Sequence, residues 1–424
     1  MNDFSPRYIS YMYSYPHKTA YRTFDPPLDM ATCIEQVTNQ QAGLYFHLPY
    51  CRFKCGFCNL FSLQGAKEVD IDAYLDALLR QAQQVAPLVR ELEFTSLAIG
   101  GGTPLLLNSR QLDMLFKAAA LFNVSPKRVF TSVETSPDFA DSLLLRQLKE
   151  IGVRRLSIGI QSFHAEELLR LKRKTALSTC LSALEVIRQT DFPEFNIDLI
   201  YGIEGQTVNS LLTSIDRALS YCPTELFLYP LYVRSGVGIT EKAGNEMRWE
   251  MYQAGRARLL EEGFIQTSMR RFVRHHSPDL EYSCGDETVI SCGCGGRSYL
   301  GDLHFATPYA VRQKKIREVI DAYVQTTDFT KISNGYLLSP EEKRRRYIIK
   351  NLMYYRGVDL VDYHVRFGHP FPLADLNNLL QKEFIKEDNG FLHLTPEGMA
   401  YSDDIGPMFI SESVRQQMEQ YRME

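Results

Sequence analysis

Long apolar runs are missing from this sequence, because polar residues interrupt its apolar positions throughout. A helix that crosses a bilayer needs about 20 predominantly apolar residues in a row. We therefore expect no membrane span. The first thirty residues are polar and rich in tyrosine, without the apolar segment of a secretory signal, so no signal peptide is expected.

An excess of either charge is also missing, since 47 basic residues face 51 acidic ones and the net charge is −4. Such a balance gives no field suited to nucleic acid or to an anionic membrane, so neither is expected as a partner. The nine cysteines form no even framework, which predicts reduced thiols and a cytoplasmic location. At 424 residues the chain exceeds one typical domain, which fits an enzyme with a large and a small domain.

The most informative motif is a group of three cysteines, Cys51, Cys55 and Cys58, directly after a short apolar run. A structural zinc site would need four ligands, and the next cysteine, Cys180, is far away in the sequence. Three thiolates leave one metal position open, and closely spaced cysteines also hold iron-sulfur clusters. Ordinary buried cysteines are the alternative, but such residues rarely cluster within eight positions.

The region from residue 43 to about residue 272 alternates short apolar runs with longer amphipathic ones, such as 70–89 and 206–220. Strand and helix alternate about six times, which predicts a parallel sheet with right-handed crossovers. The fold is therefore expected to be α/β, an incomplete (β/α)6 barrel with ligand sites at the carboxyl ends of its strands. The six predicted strands are residues 43–48, 94–100, 129–135, 155–160, 195–201 and 225–231.

Polar residues and glycines lie at these strand ends. Residues 100–104 read Gly-Gly-Gly-Thr-Pro, which suits either a ligand's close approach or a plain tight turn. Glu134 ends the third strand and could equally cap a helix or join a salt bridge. Asp198 lies among isoleucine and leucine, where an unpaired carboxylate is costly, so it favours a ligand site.

The cysteine spacing with Phe57 before the last cysteine resembles the signature of radical S-adenosylmethionine (SAM) enzymes. The pattern Tyr45-x-His47-x-Pro49 before Cys51 is similar to that of the HemN-like oxygen-independent coproporphyrinogen III oxidases. The resemblance implies that the three thiolates hold a [4Fe-4S] cluster whose fourth iron takes SAM. An electron from the cluster would then split SAM to a 5′-deoxyadenosyl radical, while the protein positions the cofactor and excludes water.

The same resemblance assigns two groups of SAM-binding residues. Most radical SAM proteins do not bind a second SAM, so residues that match a second SAM site indicate a smaller group within the superfamily. Pro230 departs from the family, whose oxidases have alanine at this position. The first SAM would be held by Tyr45, Gly101 and Glu134. The second would be held by Phe57, Gly102, Thr103, Gln161, Arg173 and Asp198.

Four regions are expected along the chain: an irregular N-terminal arm at 1–42, the partial barrel at 43–272, a Gly/Cys-rich substrate-side loop with a connecting helix at 273–336, and a helical, winged-helix-like domain at 337–424. The arm either packs on the surface or forms a lid over a flat, anionic substrate. The role of Cys284, Cys292 and Cys294 is left open. Basic residues at 270–276 either belong to a solvated loop or bind substrate carboxylates.

The resemblance implies anaerobic oxidative decarboxylation of a tetrapyrrole propionate, as in coproporphyrinogen III oxidation, with a reducing donor such as flavodoxin or ferredoxin. A HemN-like methyltransferase that uses two SAM molecules on another substrate is a second hypothesis. A non-catalytic heme-binding chaperone is a third. It is disfavoured because residues 278–283 read Pro-Asp-Leu-Glu-Tyr-Ser where the chaperones carry His-Asn-x-x-Tyr-Trp.

Overall fold

One large mixed sheet organises the chain. The computed structural model describes residues 8, 11–12, 14–37, 40–233, 238–275 and 288–421. Its 13-stranded sheet has the order β1-β15-β14-β13-β12-β2-β5-β6-β7-β8-β9-β11-β10. The strands are β1 Arg22–Asp29, β2 Gln41–Leu48, β3 Tyr50–Cys51, β4 Leu63–Gln64, β5 Glu93–Gly101, β6 Phe130–Thr135, β7 Arg155–Gln161, β8 Glu194–Tyr201, β9 Glu225–Pro230, β10 Ile265–Gln266, β11 Arg271–Val273, β12 Thr288–Cys292, β13 Arg297–Leu300, β14 Leu303–Ala306, β15 Lys331–Leu337, β16 Val358–Asp359, β17 Ile385–Asp388 and β18 Phe391–Leu394.

The helices follow the strands in alternation through the first half of the chain and dominate its last quarter. Within the described residues, no helix combines the length and apolar character needed to cross a bilayer. The helices are α1 Met30–Ile34, α2 Glu68–Val85, α3 Ser109–Leu121, α4 Ser142–Ile151, α5 Ala165–Arg170, α6 Leu177–Thr190, α7 Val208–Leu219, α8 Asn245–Glu261, α9 Gln313–Gln325, α10 Pro340–Leu352, α11 Leu360–Phe367, α12 Asn377–Gln381, α13 Pro396–Ala400, α14 Ser402–Ile405 and α15 Glu412–Glu419.

The centre of the sheet is the predicted parallel part. Strands β2, β5, β6, β7, β8 and β9 pair in parallel, in the order in which they occur along the chain. The six strand predictions and the α/β class are confirmed, and the mixed parallel sheet is consistent with a partial radical SAM barrel. Because parallel neighbours run the same way, the carboxyl ends of these strands meet at one edge.

Local sequence explains why the crossover helices pack where they do. In α4, the Asp141 carboxylate accepts the N–H groups of Leu143 and Leu144 at 3.0 Å, which caps the helix start. Leu145 and Leu148 are fully buried on one face, three residues apart. Gly152 then ends the helix in the left-handed conformation at φ 105°.

The sheet extends beyond the region that the sequence predicted, on the side of the N-terminal arm. The arm was expected to be irregular, but residues 22–29 form β1, an antiparallel partner of β15. The range 273–336, expected as a loop and a connecting helix, contains strands β12 to β15 as well as α9. These strands were not predicted because β1 contains two prolines and the segment 293–296 is rich in glycine, and both residue types are depleted in regular strands.

The C-terminal residues form a small helical unit with its own sheet of order β16-β18-β17. Ser339 accepts the Glu342 N–H at 3.2 Å and caps α10, which begins with Pro340. Strands β17 and β18 pair around Asn389 and Gly390, both with positive φ, as expected for a tight hairpin. The unit joins the barrel through a buried ion pair between Arg270 and Asp403.

Candidate active site

The three cysteines lie on a loop that leaves the carboxyl end of β2. Cys51 belongs to β3, which pairs in parallel with β4 and so fixes the start of the loop. The Gly56 N–H donates to the Leu171 carbonyl at 2.9 Å and fixes its middle. All three cysteines are half-buried. The loop is therefore anchored on two sides and presents its thiols near the edge where the strands end.

The surroundings of the thiols suit thiolate ligands. The Thr103 hydroxyl donates to Cys51 Sγ at 3.5 Å, and an Arg173 N–H donates to Cys55 Sγ at 3.8 Å. Burial raises the pKa of Cys58 to about 11, so the thiolate is disfavoured while no metal is bound. A bound metal ion offsets this effect, because coordination deprotonates a thiol outright. The charges of Cys51 and Cys55 act on Cys58, so the three thiols lie close to one another. Closely grouped thiolates are the ligands of iron-sulfur clusters, so the donor set fits a [4Fe-4S] cluster.

The glycine motif is packed against this loop by the main chain. The Gly102 N–H donates to the Leu48 carbonyl, and the Thr103 N–H donates to the Tyr50 carbonyl, each at 2.7 Å. Gly101 adopts φ +114°, and a Cβ there would stand 2.8 Å from the His47 ring. The glycines are therefore required by close approach as well as by backbone conformation.

Replacing Gly101 with alanine tests this close approach. We expect Gly101→Ala to lower the free energy of unfolding by about 1–2 kcal/mol for its positive φ and by about 1–3 kcal/mol more for the collision with His47. The matched control is Gly65→Ala, which has φ +72° and no atom within 4 Å of the added Cβ. Chemical unfolding of both variants measures the difference, and equal losses would show that the contact with His47 is unimportant.

Tyr45 and His47 form a fixed pair on β2. The Phe61 carbonyl lies 3.1 Å from His47 Nε2 and can only accept, so this nitrogen carries the proton. Burial lowers the His47 pKa to about 4, which keeps the ring neutral. Nδ1 must then accept from the Tyr45 hydroxyl at 3.1 Å. The Tyr45 oxygen is thus oriented with its lone pairs available to a ligand's donor.

Glu134 lies at the carboxyl end of β6, directly beside the glycine motif. Its carboxylate accepts the Gly101 N–H at 3.2 Å. Loss of hydration through burial raises the Glu134 pKa, although the Gly101 N–H and the charge of Arg155 lower it. The side chain is nevertheless exposed to solvent. A carboxyl group that is accessible yet surrounded by protein indicates a concave site at this edge.

Gln161, at the end of the neighbouring strand β7, and Arg173, between α5 and α6, form a second group around Gly159. Gln161 is buried and has φ 76°, an unusual value for a residue other than glycine, at an irregularity in the β7–β8 pairing. Arg173 is 9% exposed and donates to the Gly159 carbonyl and to Cys55. Its Nε has no partner among the residues that the structure describes. Such a strained glutamine and partly satisfied arginine are typical of a ligand site.

Asp198 lies next along the sheet, on β8. It accepts from Asn196 Nδ2 at 2.7 Å. Burial raises its pKa from 3.8 to about 7, although Asn196 and Arg155 oppose the shift. The Asp198 carboxyl group therefore changes charge near neutral pH, where binding of a polar ligand would be sensitive to it.

The Asp198 shift predicts a pH dependence of stability. Between pH 3.8 and about 7 the native protein keeps a proton that the unfolded chain releases, so stability falls as the pH rises through this window. We expect Asp198→Asn to unfold at a higher temperature than the parent at pH 8 and at the same temperature at pH 4. Thermal unfolding across this range checks the difference. Parallel curves at all pH values would contradict the assignment.

Phe57, which was predicted to bind SAM, packs against a small apolar cluster of the described chain, and none of the other predicted SAM residues belongs to that cluster. The cluster includes Leu171 and Ile239. The role of Phe57 in binding SAM stays a prediction, as do the SAM-binding roles of the other predicted residues. Cys284 and His276 lie outside the described residues. Cys292 and Cys294 are fully buried, and burial raises the pKa of both thiols.

Two arginines of the 270–276 segment pair with carboxylates of the protein itself instead of lying in a solvated loop. Arg270 pairs with Asp403 and also contacts Tyr232, so the hypothesis that it binds substrate is not supported. Arg271 pairs with Glu225, which Arg155 also contacts at 2.6 Å. Sequence reasoning missed Arg155 and Glu225, since their pairing spans three strands and leaves no local pattern.

Comparisons with known proteins agree with this arrangement. A model of the radical SAM superfamily matches residues 45–218, which contain the cysteine loop and the glycine motif. The oxygen-independent coproporphyrinogen III oxidase of Synechocystis is 25% identical, over 97% of this chain and 94% of that protein. The heme chaperone HemW of Buchnera aphidicola is 23% identical, over 87% of this chain and 98% of its own length.

The fold has a solved counterpart. The structure of coproporphyrinogen III oxidase (HemN) from Escherichia coli superposes with a TM-score of 0.81 at 23% identity, covering 94% of this chain and 96% of that one. This likeness concerns the fold alone. The superfamily match and the relatives show that the chain belongs to the radical SAM superfamily and is a HemN/HemW-like protein, similar to the oxidases and to the heme chaperones.

Proposed function

We propose that this protein is a radical SAM oxidoreductase that decarboxylates a propionate side chain of a tetrapyrrole, as in the conversion of coproporphyrinogen III to protoporphyrinogen IX. In this reaction the propionate β-carbon loses a hydrogen atom. The substrate then loses one electron to an acceptor and its carboxylate leaves as CO2, so that a vinyl group remains. The observation that carries the proposal is the way in which the N-terminal arm covers the carboxyl ends of β8 and β9.

The arm brings aromatic rings to this edge. The Tyr8 ring lies 6.2 Å from that of Tyr201 at the end of β8. The Tyr11 ring lies 6.4 Å from that of Tyr229, which itself stacks on Phe227 at 5.3 Å. Tyr8 and Tyr201 are buried and fix the arm in place, whereas Tyr11, Phe227 and Tyr229 are only half-buried. Half-buried aromatic rings suit a large, flat substrate, because they provide apolar area with little loss of side-chain entropy. A covered site also excludes water from radical chemistry.

The relatives divide between oxidases and chaperones, and one oxidase supports the proposal through its coverage of this chain. The Synechocystis oxidase aligns with nearly the whole of this chain. The HemW of Buchnera aphidicola aligns with only 87% of this chain, although the alignment covers 98% of the chaperone. Part of this chain therefore has a counterpart in the oxidase and none in the chaperone. The oxidase match and the arm over the site favour the same function.

The residues of the site would divide the work. Cys51, Cys55 and Cys58 would hold a [4Fe-4S] cluster, which with SAM supplies hydrogen-atom abstraction when bound. Tyr45, oriented by His47, would accept from the SAM amino group. Glu134 would accept there as well, since its carboxylate already lies at the glycine motif.

We further propose a second SAM beside the first, on Gln161, Arg173 and Asp198. The support is local: a buried arginine whose Nε has no partner in the described chain, a glutamine with positive φ, and a carboxyl group that titrates near neutral pH. Phe57, Gly102 and Thr103 would complete this site. Pro230 at the end of β9 would tune its shape, because it stands where the oxidases have alanine.

The test uses the full chain, reconstituted with iron and sulfide without oxygen, reduced, and mixed with SAM with and without coproporphyrinogen III. We expect 5′-deoxyadenosine whose formation depends on the porphyrinogen, together with products lighter by one and two units of formic acid. S-adenosylhomocysteine with an intact porphyrinogen would indicate the methyltransferase instead. Tight heme binding without SAM cleavage would indicate the chaperone, and either result would overturn the proposal.

A further inference from the structure

The cysteine loop carries positive charge on its outer side. The guanidinium of Arg52 and the ammonium of Lys174 each lie 5.2 Å from the centre of the Phe53 ring. Lys54 donates to the Val311 carbonyl at 2.8 Å, which ties the loop to the segment before α9. Arg52 and Lys54 stand directly beside the cluster ligands in the sequence, so this charge lies on the cluster-binding loop itself.

The start of α9 adds two more cations beside the loop. Gln313 Nε2 donates to the Ser62 carbonyl at 2.9 Å and holds this helix end against β4. Arg312 and Arg317 flank that contact, and both side chains are exposed. We name the five residues Arg52, Lys54, Lys174, Arg312 and Arg317 the cationic rim.

In the part of the chain that the structure describes, most members of the rim make no ion pair, although Glu318 and Asp321 follow Arg317 on the same helix. Within the described ranges, only Arg52 has an acidic partner, Asp138, at 3.7 Å. The other four members make no ion pair there. The whole chain nevertheless carries a net charge of −4, so the rim is a local positive region on a weakly acidic protein. A charged patch of this kind raises association rates with an oppositely charged partner by about 10- to 1,000-fold at low salt.

We propose that the cationic rim is the docking surface for an acidic, low-potential electron-transfer protein, such as a flavodoxin. The inference rests on the proposed radical SAM function, which requires a reduced cluster. In each encounter the donor would lose one electron to the cluster that Cys51, Cys55 and Cys58 would hold. The position of the rim favours a redox partner over other acidic proteins, because a protein bound there would lie directly over the loop that carries the three cysteines.

The test compares the parent with Lys174→Glu/Arg312→Glu/Arg317→Glu. Arg312 precedes α9 as its N-cap residue, where an acidic side chain favours the helix, so this exchange should not disturb folding. We expect the second-order rate constant for cluster reduction by reduced flavodoxin to fall by about tenfold or more at low salt. Calorimetric binding of oxidised flavodoxin to the protein without its cluster should weaken in parallel. Reduction by dithionite, which needs no docking, should be unchanged.

The control Lys117→Glu/Lys127→Glu/Lys386→Glu changes the net charge equally at exposed residues elsewhere. Its rate with flavodoxin should stay within about twofold of the parent. An equal loss in both triple variants would overturn the docking surface, as would a parent rate insensitive to salt. The readouts are cluster reduction and binding, so a failure to decarboxylate coproporphyrinogen would leave the docking result intact.

Discussion

Cys55→Ala should abolish SAM cleavage, with a rate below about one hundredth of the parent's, because a cluster with two remaining cysteines is not retained. Cys55 is half-buried, and its Sγ accepts from Arg173, so the residue contributes little to the core. The folded protein should therefore persist while iron content and the visible absorbance of the reconstituted protein are lost. Iron analysis and the yield of 5′-deoxyadenosine measure the two effects.

The matched control is Cys222→Ala, which removes an exposed cysteine that is not part of the loop. It should keep the full iron content and the parent rate of SAM cleavage. Retention of a complete cluster in Cys55→Ala would refute the assignment of the loop. So would an equal loss of iron in the two variants, since it would mean that reconstitution is nonspecific.

Arg270→Leu should lower the free energy of unfolding by about 3–5 kcal/mol, the usual cost of leaving one member of a buried ion pair alone. Arg270 and Asp403 are 3% and 1% exposed. The guanidinium also lies 3.9 Å from the centre of the Tyr11 ring, so one side chain joins the arm, the barrel and the C-terminal unit. Chemical unfolding followed by circular dichroism measures the loss.

Two further variants separate the unpaired charge from lost packing. In Arg270→Leu/Asp403→Leu no charge remains buried, so most of the stability should return. Arg271→Leu should cost clearly less than Arg270→Leu, because Glu225 keeps Arg155 as a partner at 2.6 Å. If the double variant were as unstable as Arg270→Leu, the effect would come from packing rather than from charge.

The central sheet was predictable because its strands carry their own signal. Residues such as Leu156, Ile158 and Ile160 make a short apolar run between polar helices, and this pattern depends only on local burial. Strand β1 lacks this apolar pattern, since its residues are exposed or half-buried. The strand forms only through its pairing with β15. An edge strand that depends on a distant partner leaves little trace in its own residues.

The site divides in the same way. The cysteines and glycines were predicted because their spacing along the chain is fixed by the loops that hold them. The orientation of Tyr45 by His47 and the shifted pKa of Asp198 depend on burial that only the folded chain provides. The pairing of Arg270 was unpredictable for the same reason, since its partner Asp403 lies in another structural unit.

The contacts between the arm and the last helices also order events in time. Arg22 donates to the Gln417 carbonyl at 2.5 Å, and Tyr15 donates to Glu342. The arm is synthesised before these partners, and domains generally fold as the chain emerges. The cysteine loop is likewise synthesised before α10 and α15. The contacts that join the arm to the C-terminal unit can therefore form only after that unit has been synthesised.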